Sequence, residues 1–302
     1  MKKCIAILTL TLILGTLLAN NVDKNAGEKG FLFLRIPVSP ELAAMANTGE
    51  MHHSSPITML HHPAAFDWQR GKALAFSQSM WFVDTYLYNI AYRNVMFDRA
   101  WGLAIKYMDY GQIDKREDNG TLIGSYYPMD LQLGANYVYR ITPDIQAGAT
   151  INLLYEKIDT ASALGFTADI GAVYRTPLQN TSIDFALKNI GTTNKMDEKK
   201  IELPTTAEIG LSTGYEIEEG YAIYPAAKLV YMNDHEDLLP AVGANIKLFE
   251  MLFVRAGYKF NYHDEDFSAG IGIHYNNFTV DYGFINNQEF DPVHKFGVTY
   301  KF

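Results

Sequence analysis

From Lys72 onward the chain is written in stretches whose apolar side chains fall on every second position, and fourteen of them can be counted, the first Lys72–Val83 and the last His294–Phe302. A strand sends successive side chains to opposite faces of its sheet, so each stretch has an apolar face and a polar one. Leu131, Leu133, Ala135, Tyr137, Tyr139 and Ile141 share one register, and Gln132, Gly134, Asn136, Val138 and Arg140 share the other. The same division separates Phe166, Ala168, Ile170, Ala172 and Tyr174 from Thr167, Asp169, Gly171 and Arg175. Charges fall almost wholly in the polar register. Most stretches have about the nine residues that a tilted strand needs to cross the hydrocarbon core. Apolar faces that turn outward to lipid and polar faces that turn inward to a lumen make a transmembrane barrel. The expected fold class is therefore all-β: a transmembrane antiparallel β-barrel of about 14 strands over residues 72–302.

The connections support this reading because their lengths alternate, as they must when both chain ends lie on one side of a membrane. Thr142–Asp144, Pro177–Thr181, Glu218–Gly220, Glu250–Met251 and Asn276–Asn277 form a short set. Between them lie Gln112–Pro128, Asp159–Ala163, Thr192–Thr205, Asn233–Leu238, Tyr262–Asp266 and Asn286–Val293, expected as exterior loops. Twenty Tyr and seventeen Phe recur near strand ends, where an interfacial girdle places aromatic rings. The net charge of -9 is an acidic excess and argues against the basic patch that nucleic acid needs, so no nucleic-acid partner is expected.

Met1-Lys2-Lys3 and the apolar run Cys4–Leu18 have the charged and hydrophobic regions of a secretory signal, which assigns residues 1–19 to an export segment. Cleavage there would remove Cys4, the only cysteine, before the chain meets an oxidising periplasm. Residues 20–71 lack a sustained period of two and carry four prolines and four of the eight histidines. Ser39-Pro40-Glu41 reads as a helix start, with Ser39 as N-cap, Pro40 at the first helical position and Glu41 near the positive end of the dipole. Phe31, Phe33, Met45, Ile57, Leu60, Phe66 and Trp68 are too apolar for a solvated tail. A fourteen-stranded barrel is too wide for its own side chains to fill, so residues 20–71 are expected as a short helical plug in the lumen.

His52, His53, His61 and His62 raise the question of a metal, since imidazole is a common ligand. They come as two adjacent pairs, with no i, i+4 spacing to bring them to one face, and the preferred reading is polar plug residues reaching lumen water. Charges of the polar register, among them Arg140, Glu156, Asp169, Arg175, Asp184, Lys188, Glu208, Arg255, Lys259 and Asp281, read as a paired ladder that holds the plug. No Gly-x-Ser-x-Gly motif appears, and the expectation is a non-enzymatic protein without cofactor or metal.

Two resemblances extend this reading. The final strand, with Phe296, Val298, Tyr300 and Phe302 in one register, resembles the carboxy-terminal signature of bacterial outer-membrane barrels. That resemblance implies that Phe296, Tyr300 and Phe302 are read by the barrel-insertion machinery. Phe33–Val38, then Ala44-Met45-Ala46-Asn47-Thr48-Gly49, then His62-Pro63-Ala64-Ala65-Phe66 resemble the amino-terminal signature of the PorV/PorQ family. Leu103–Ile113 with its Tyr-x-x-Tyr-Gly, Leu164–Gly171, Lys188–Gly191 and Leu203-Pro204 continue it. The resemblance implies a FadL-like outer-membrane barrel associated with type IX secretion, with Ala44, Met45, His62, Pro63 and Ala64 as the plug motif. It also implies outer-membrane lipid, and secreted cargo or secretion components, as partners. This chain departs from the pattern in having Ala46-Asn47 where two glycines are usual and His62 where asparagine precedes proline. A FadL-like channel for small hydrophobic solutes is the alternative function.

Overall fold

The computed structural model describes residues 29–66, 68–196, 199–234, 238–262 and 265–302. The expected export segment, Cys4 and residues 20–28 of the expected plug lie outside the described residues. The barrel strands are β1 (Gly71–Met80), β2 (Tyr86–Val95), β3 (Arg99–Asp109), β4 (Met129–Arg140), β5 (Ile145–Ile158), β6 (Ala161–Arg175) and β7 (Thr181–Thr193). They continue as β8 (Thr206–Thr213), β9 (Tyr221–Met232), β10 (Leu239–Leu248), β11 (Leu252–Lys259), β12 (Glu265–Tyr275), β13 (Phe278–Asn287) and β14 (Val293–Lys301). A short stretch, Tyr215–Glu218, prolongs β8 along β9. Each strand pairs antiparallel with the next, and β14 pairs back onto β1 from His294↔Met80 to Lys301↔Ala73, so the sheet closes as a 14-strand barrel.

The two registers face as the alternation requires. On β4, Leu133 and Tyr137 are exposed while Gln132 and Asn136 are 3% and 4% exposed, which puts the apolar side outward. Two expected boundaries differ. The first apolar stretch ends at Met80, because Val83 and Asp84 adopt left-handed φ values of 57° and 54° in a turn closed by Trp81 N–H donating to Thr85 O at 2.9 Å. A β-branched residue there is rare, and Val83 reads as strand by composition alone. Asp159–Ala163, expected as a loop, is only the turn at residues 159–160, with Ile158 paired to Ala161 and Asp159 at φ 50°. The loop after β3 carries its own hairpin, Ile113–Arg116 against Leu122–Tyr126.

Inside the barrel, residues 29–66 run from the long-loop end, where Lys29 bridges to Glu202, to the short-turn end, where the chain enters β1. They form 3-10 turns at Leu32–Arg35, Glu50–His52 and Pro56–Leu60, and one helix, α1 (Pro40–Ala44). The Ser39 hydroxyl accepts from Leu42 N–H at 3.3 Å with Pro40 at the first position, as the sequence predicts. Val38, Leu42, Ile57, Met59 and Leu60 pack on Ala75, Ala91 and Ala104 of the wall. Small residues also let the backbones close up. A β-carbon added to Gly134 would lie 2.7 Å from Leu60 Cδ2, and one on Gly243 would lie 2.5 Å from the Met45 carbonyl oxygen. Glycine in these strands marks where a second chain segment presses against the wall.

Candidate functional site

The plug motif expected from the sequence lies on this contact. A β-carbon on Gly270 would lie 2.5 Å from that of Ala44, and the backbone around Met45 lies against Gly243 and Gly257. His62 takes over the hydrogen bonding that an asparagine gives before proline. Its Nδ1 accepts from Ala64 N–H at 3.1 Å and Ala65 N–H at 2.9 Å, the side-chain-to-backbone turn typical of short polar residues. The turn is then gripped by the wall. Asn136 Nδ2 donates to Pro63 O at 2.9 Å, and Gln146 Nε2 donates to Ala64 O at 2.5 Å.

Charged groups fasten the rest. Lys295 Nζ donates to Pro37 O at 2.8 Å and Ser79 Oγ at 2.6 Å. From β3, three strands along the wall from β14, Lys106 Nζ donates to Ile36 O at 2.9 Å. The two ammoniums hold the stretch 34–37 by its carbonyls, which a neutral side chain could do less strongly. Arg255 pairs with Asp281 at 2.7 Å and lies 3.9 Å from Glu41 of α1. Arg35 is bonded to Asp234 at 2.8 Å. At the short-turn end Arg93 sits 4.2 Å over the Phe66 ring, Phe66 stacks on Trp68, and Arg140 lies 4.1 Å over Trp68. The expected ladder of paired lumen charges is present in Arg255–Asp281 and Lys188–Glu208, whereas Glu156 accepts from Phe31 N–H at 2.9 Å and Arg140 stacks on a ring.

The four histidines do not gather. His53 bonds Thr48 O at 3.1 Å, His52 meets the Tyr224 ring at a tilt, and His62 serves the turn just described. His61 instead joins Glu50, 3.1 Å away, and Glu208 in a group whose ligand atoms lie within 4.8 Å of one another. The ammonium of Lys228 already fills that group, bonded to Glu50, to Glu208 at 2.9 Å and to His61 at 3.0 Å. With Lys188 on Glu208 at 2.5 Å, two carboxylates face two ammoniums, and the charge is balanced without a metal.

Beside this group, at the long-loop end, lies a cavity of about 260 Å³. Trp81, Phe82, Val230 and Met232 line it together with Arg35, Lys188, Glu208, Lys228, Lys259 and Glu265. On the lipid side of β14, Phe296 and Phe302 are exposed, and Tyr300, near the short-turn end with Phe302, meets the Phe278 ring at 4.7 Å. The sequence gives weaker notice of Lys106, Lys228, Lys295 and Glu50. Each wall lysine does occupy the polar register, and a lone cation in an otherwise apolar strand such as β9 is the signal that points to a buried partner.

Residues 130–300 match the family model of the type IX secretion system membrane protein PorP/SprF. No curated protein sequence matches the chain. Among solved structures, the Pseudomonas aeruginosa FadL homologue is similar with a TM-score of 0.61 at 12% identity, over 88% of this chain and 99% of that one. The Ralstonia pickettii toluene transporter TbuX gives 0.57 at 13% identity, over 91% and 99%. The Pseudomonas putida toluene transporter TodX gives 0.60 at 12% identity, over 87% and 97%. At such identities the likeness is one of fold: a FadL-like outer-membrane barrel. The matched family is named differently from the PorV/PorQ resemblance and shares its type IX association. With more than half of its length matched, this chain belongs to the PorP/SprF family of type IX secretion system membrane proteins.

Proposed function

We propose that the barrel is a closed, non-enzymatic, partner-binding component of type IX secretion, close in role to PorV/PorQ, whose long-loop end meets secreted cargo or other secretion components. The observation that carries this reading is the plug. It is held from around the lumen by Lys106, Lys228, Lys295 and Arg255, by direct bonds or charge. A wall that grips its insert so widely suits a rigid docking platform better than a conduit. In a strain lacking the chain, cargo bearing the type IX carboxy-terminal domain is expected to accumulate in the periplasm and to be released again on complementation. Normal export in that strain rejects the proposal.

The alternative, a FadL-like channel for hydrophobic solutes, is favoured by the cavity of about 260 Å³ and its aromatic wall. Six charged side chains share that lining, which suits a hydrocarbon poorly. Toluene uptake measured in the same strain separates the two, and a selective loss of uptake favours the channel.

A further inference from the structure

At the short-turn end, where the plug passes into β1, a recess of about 50 Å³ opens between the plug and the wall. Arg70, Lys72, Arg93 and Lys301 line it, and no carboxylate side chain of the described residues does. Among the described residues none of these four cations is in an ion pair; Lys301 donates to the Gln69 amide oxygen at 2.7 Å. Arg93 is 4% exposed. Its Nη2 makes only long contacts, 3.4 Å to Pro56 O and 3.5 Å to Thr58 Oγ1, and its Nε is buried with no partner. A guanidinium this deeply buried with no ion pair of its own is costly, since Glu41 acts on it only from a distance, and the three cations around it raise the local potential further. Among the described residues the cations of the lining outnumber its anions, whose one carboxylate in this sequence is the main-chain end of Phe302.

Its size and position narrow the choice. The space admits a group of a few heavy atoms, on the scale of one tetrahedral oxyanion. Guanidinium and ammonium groups together suit phosphate oxygens. The recess also reaches the lipid side. Lys72 and Phe302, which border it, belong to the outward registers of β1 and β14, and Arg70 lies 4.6 Å over the exposed ring of Phe97. A phosphate arriving from there brings acyl chains that find Phe302, Leu74 and Phe76 exposed on the same seam.

We propose that this recess is a phosphate site, filled by the headgroup phosphate of a phospholipid from the leaflet at the short-turn end. The inference is independent of the role in secretion. The test uses the full chain, purified in detergent micelles doped with phosphatidylglycerol, with the retained lipid counted by native mass spectrometry. Arg93→Gln also removes the contact with Phe66, so the test variant is Arg70→Gln/Lys72→Gln/Lys301→Gln, which spares the packed plug. Heat-modifiable migration on a gel verifies that it folds. The wild type is expected to retain one phosphatidylglycerol, the triple variant to bind it at least tenfold more weakly, and dioleoylglycerol, which lacks phosphate, not to be retained. Titration with inorganic phosphate separates the sources: competition for the bound lipid supports the site. Phosphate binding without lipid retention overturns the lipid assignment. Equal lipid retention by wild type and triple variant overturns the whole proposal.

Discussion

The carbonyl oxygen of Pro40 stands 2.6 Å from the point where a β-carbon on Gly283 would sit, so the first turn of α1 and β13 are in backbone contact. Any side chain at 283 must push the plug or the wall. Overpacking a close contact costs about 1–3 kcal/mol, and the plug, held by side-chain bonds, yields before a fourteen-strand ladder does. Gly283→Val is therefore expected to keep its heat-modifiable migration while passing more current in a planar bilayer than the wild type. Unchanged conductance would mean that α1 adapts without leaving its place.

Removing Lys228 tests the electrostatic fastening. Its ammonium bonds Glu50, Glu208 and His61, and without it Glu50 keeps His61 while Glu208 keeps Lys188. Breaking a buried ion pair from one side costs about 3–5 kcal/mol, whereas replacing the charges together is far milder. Lys228→Ala should lower the temperature at which the folded band converts to the unfolded one. The combination Glu50→Gln/Lys228→Met should recover most of the loss. Equal behaviour of the two variants would show that the charge balance is not what the cluster contributes.

Much of this architecture is legible in the sequence because a period of two imposes facing on every residue at once. The division of Leu133 and Tyr137 from Gln132 and Asn136 needs no tertiary information. What the sequence conceals are the places where composition and backbone disagree. Val83 has a strand former's side chain in a left-handed turn, and Asp159 turns the chain where a loop is expected. The plug is legible as apolar surface in need of cover, but not its route, since that route depends on glycines such as Gly243 and Gly283 whose message is the absence of a side chain. His62 misleads in a different way. It looks like a departure from an asparagine motif, yet its Nδ1 accepts two backbone hydrogens of the kind an asparagine would accept. The metal question has the same character: pairing in sequence says little about which imidazole will meet Glu50.

The exposed ring of Phe302 lies beyond the last ladder pair, stacked edge-on against Tyr300 at 4.8 Å, and its N–H donates to Lys72 O at 2.9 Å. The backbone bond survives any substitution that keeps the N–H, so little folded-state stability rests on the ring. Phe302→Ala is thus expected to slow assembly in cells while leaving the unfolding temperature of the finished barrel within a few degrees of wild type. Pulse-labelled folding followed on a gel reads the first, and heating of the purified protein reads the second. Equal assembly rates would remove the ring from any role in insertion.

Whether the plug alone closes the lumen is decided by removing it. Phe31, Phe33, Leu42, Met45, Ile57 and Met59 are each no more than about 1% exposed, so most of the apolar surface of residues 29–66 is packed inside the wall. The loop after β3 offers no substitute, because its hairpin keeps Leu122 and Ile123 exposed and ties Lys115 outward to Asp159. Deleting residues 30–63 strips Lys106, Lys228 and Lys295 of their plug partners and leaves a polar, wetted lumen in a barrel too wide to fill itself. The deletion variant, folded by the criterion of heat-modifiable migration, is expected to give large, steady conductance steps in a planar bilayer. The intact chain should give small or rare ones. Low conductance from both would mean that a loop at the long-loop end swings inward once the plug is gone, and a further deletion of residues 112–127 would then be required to open the pore.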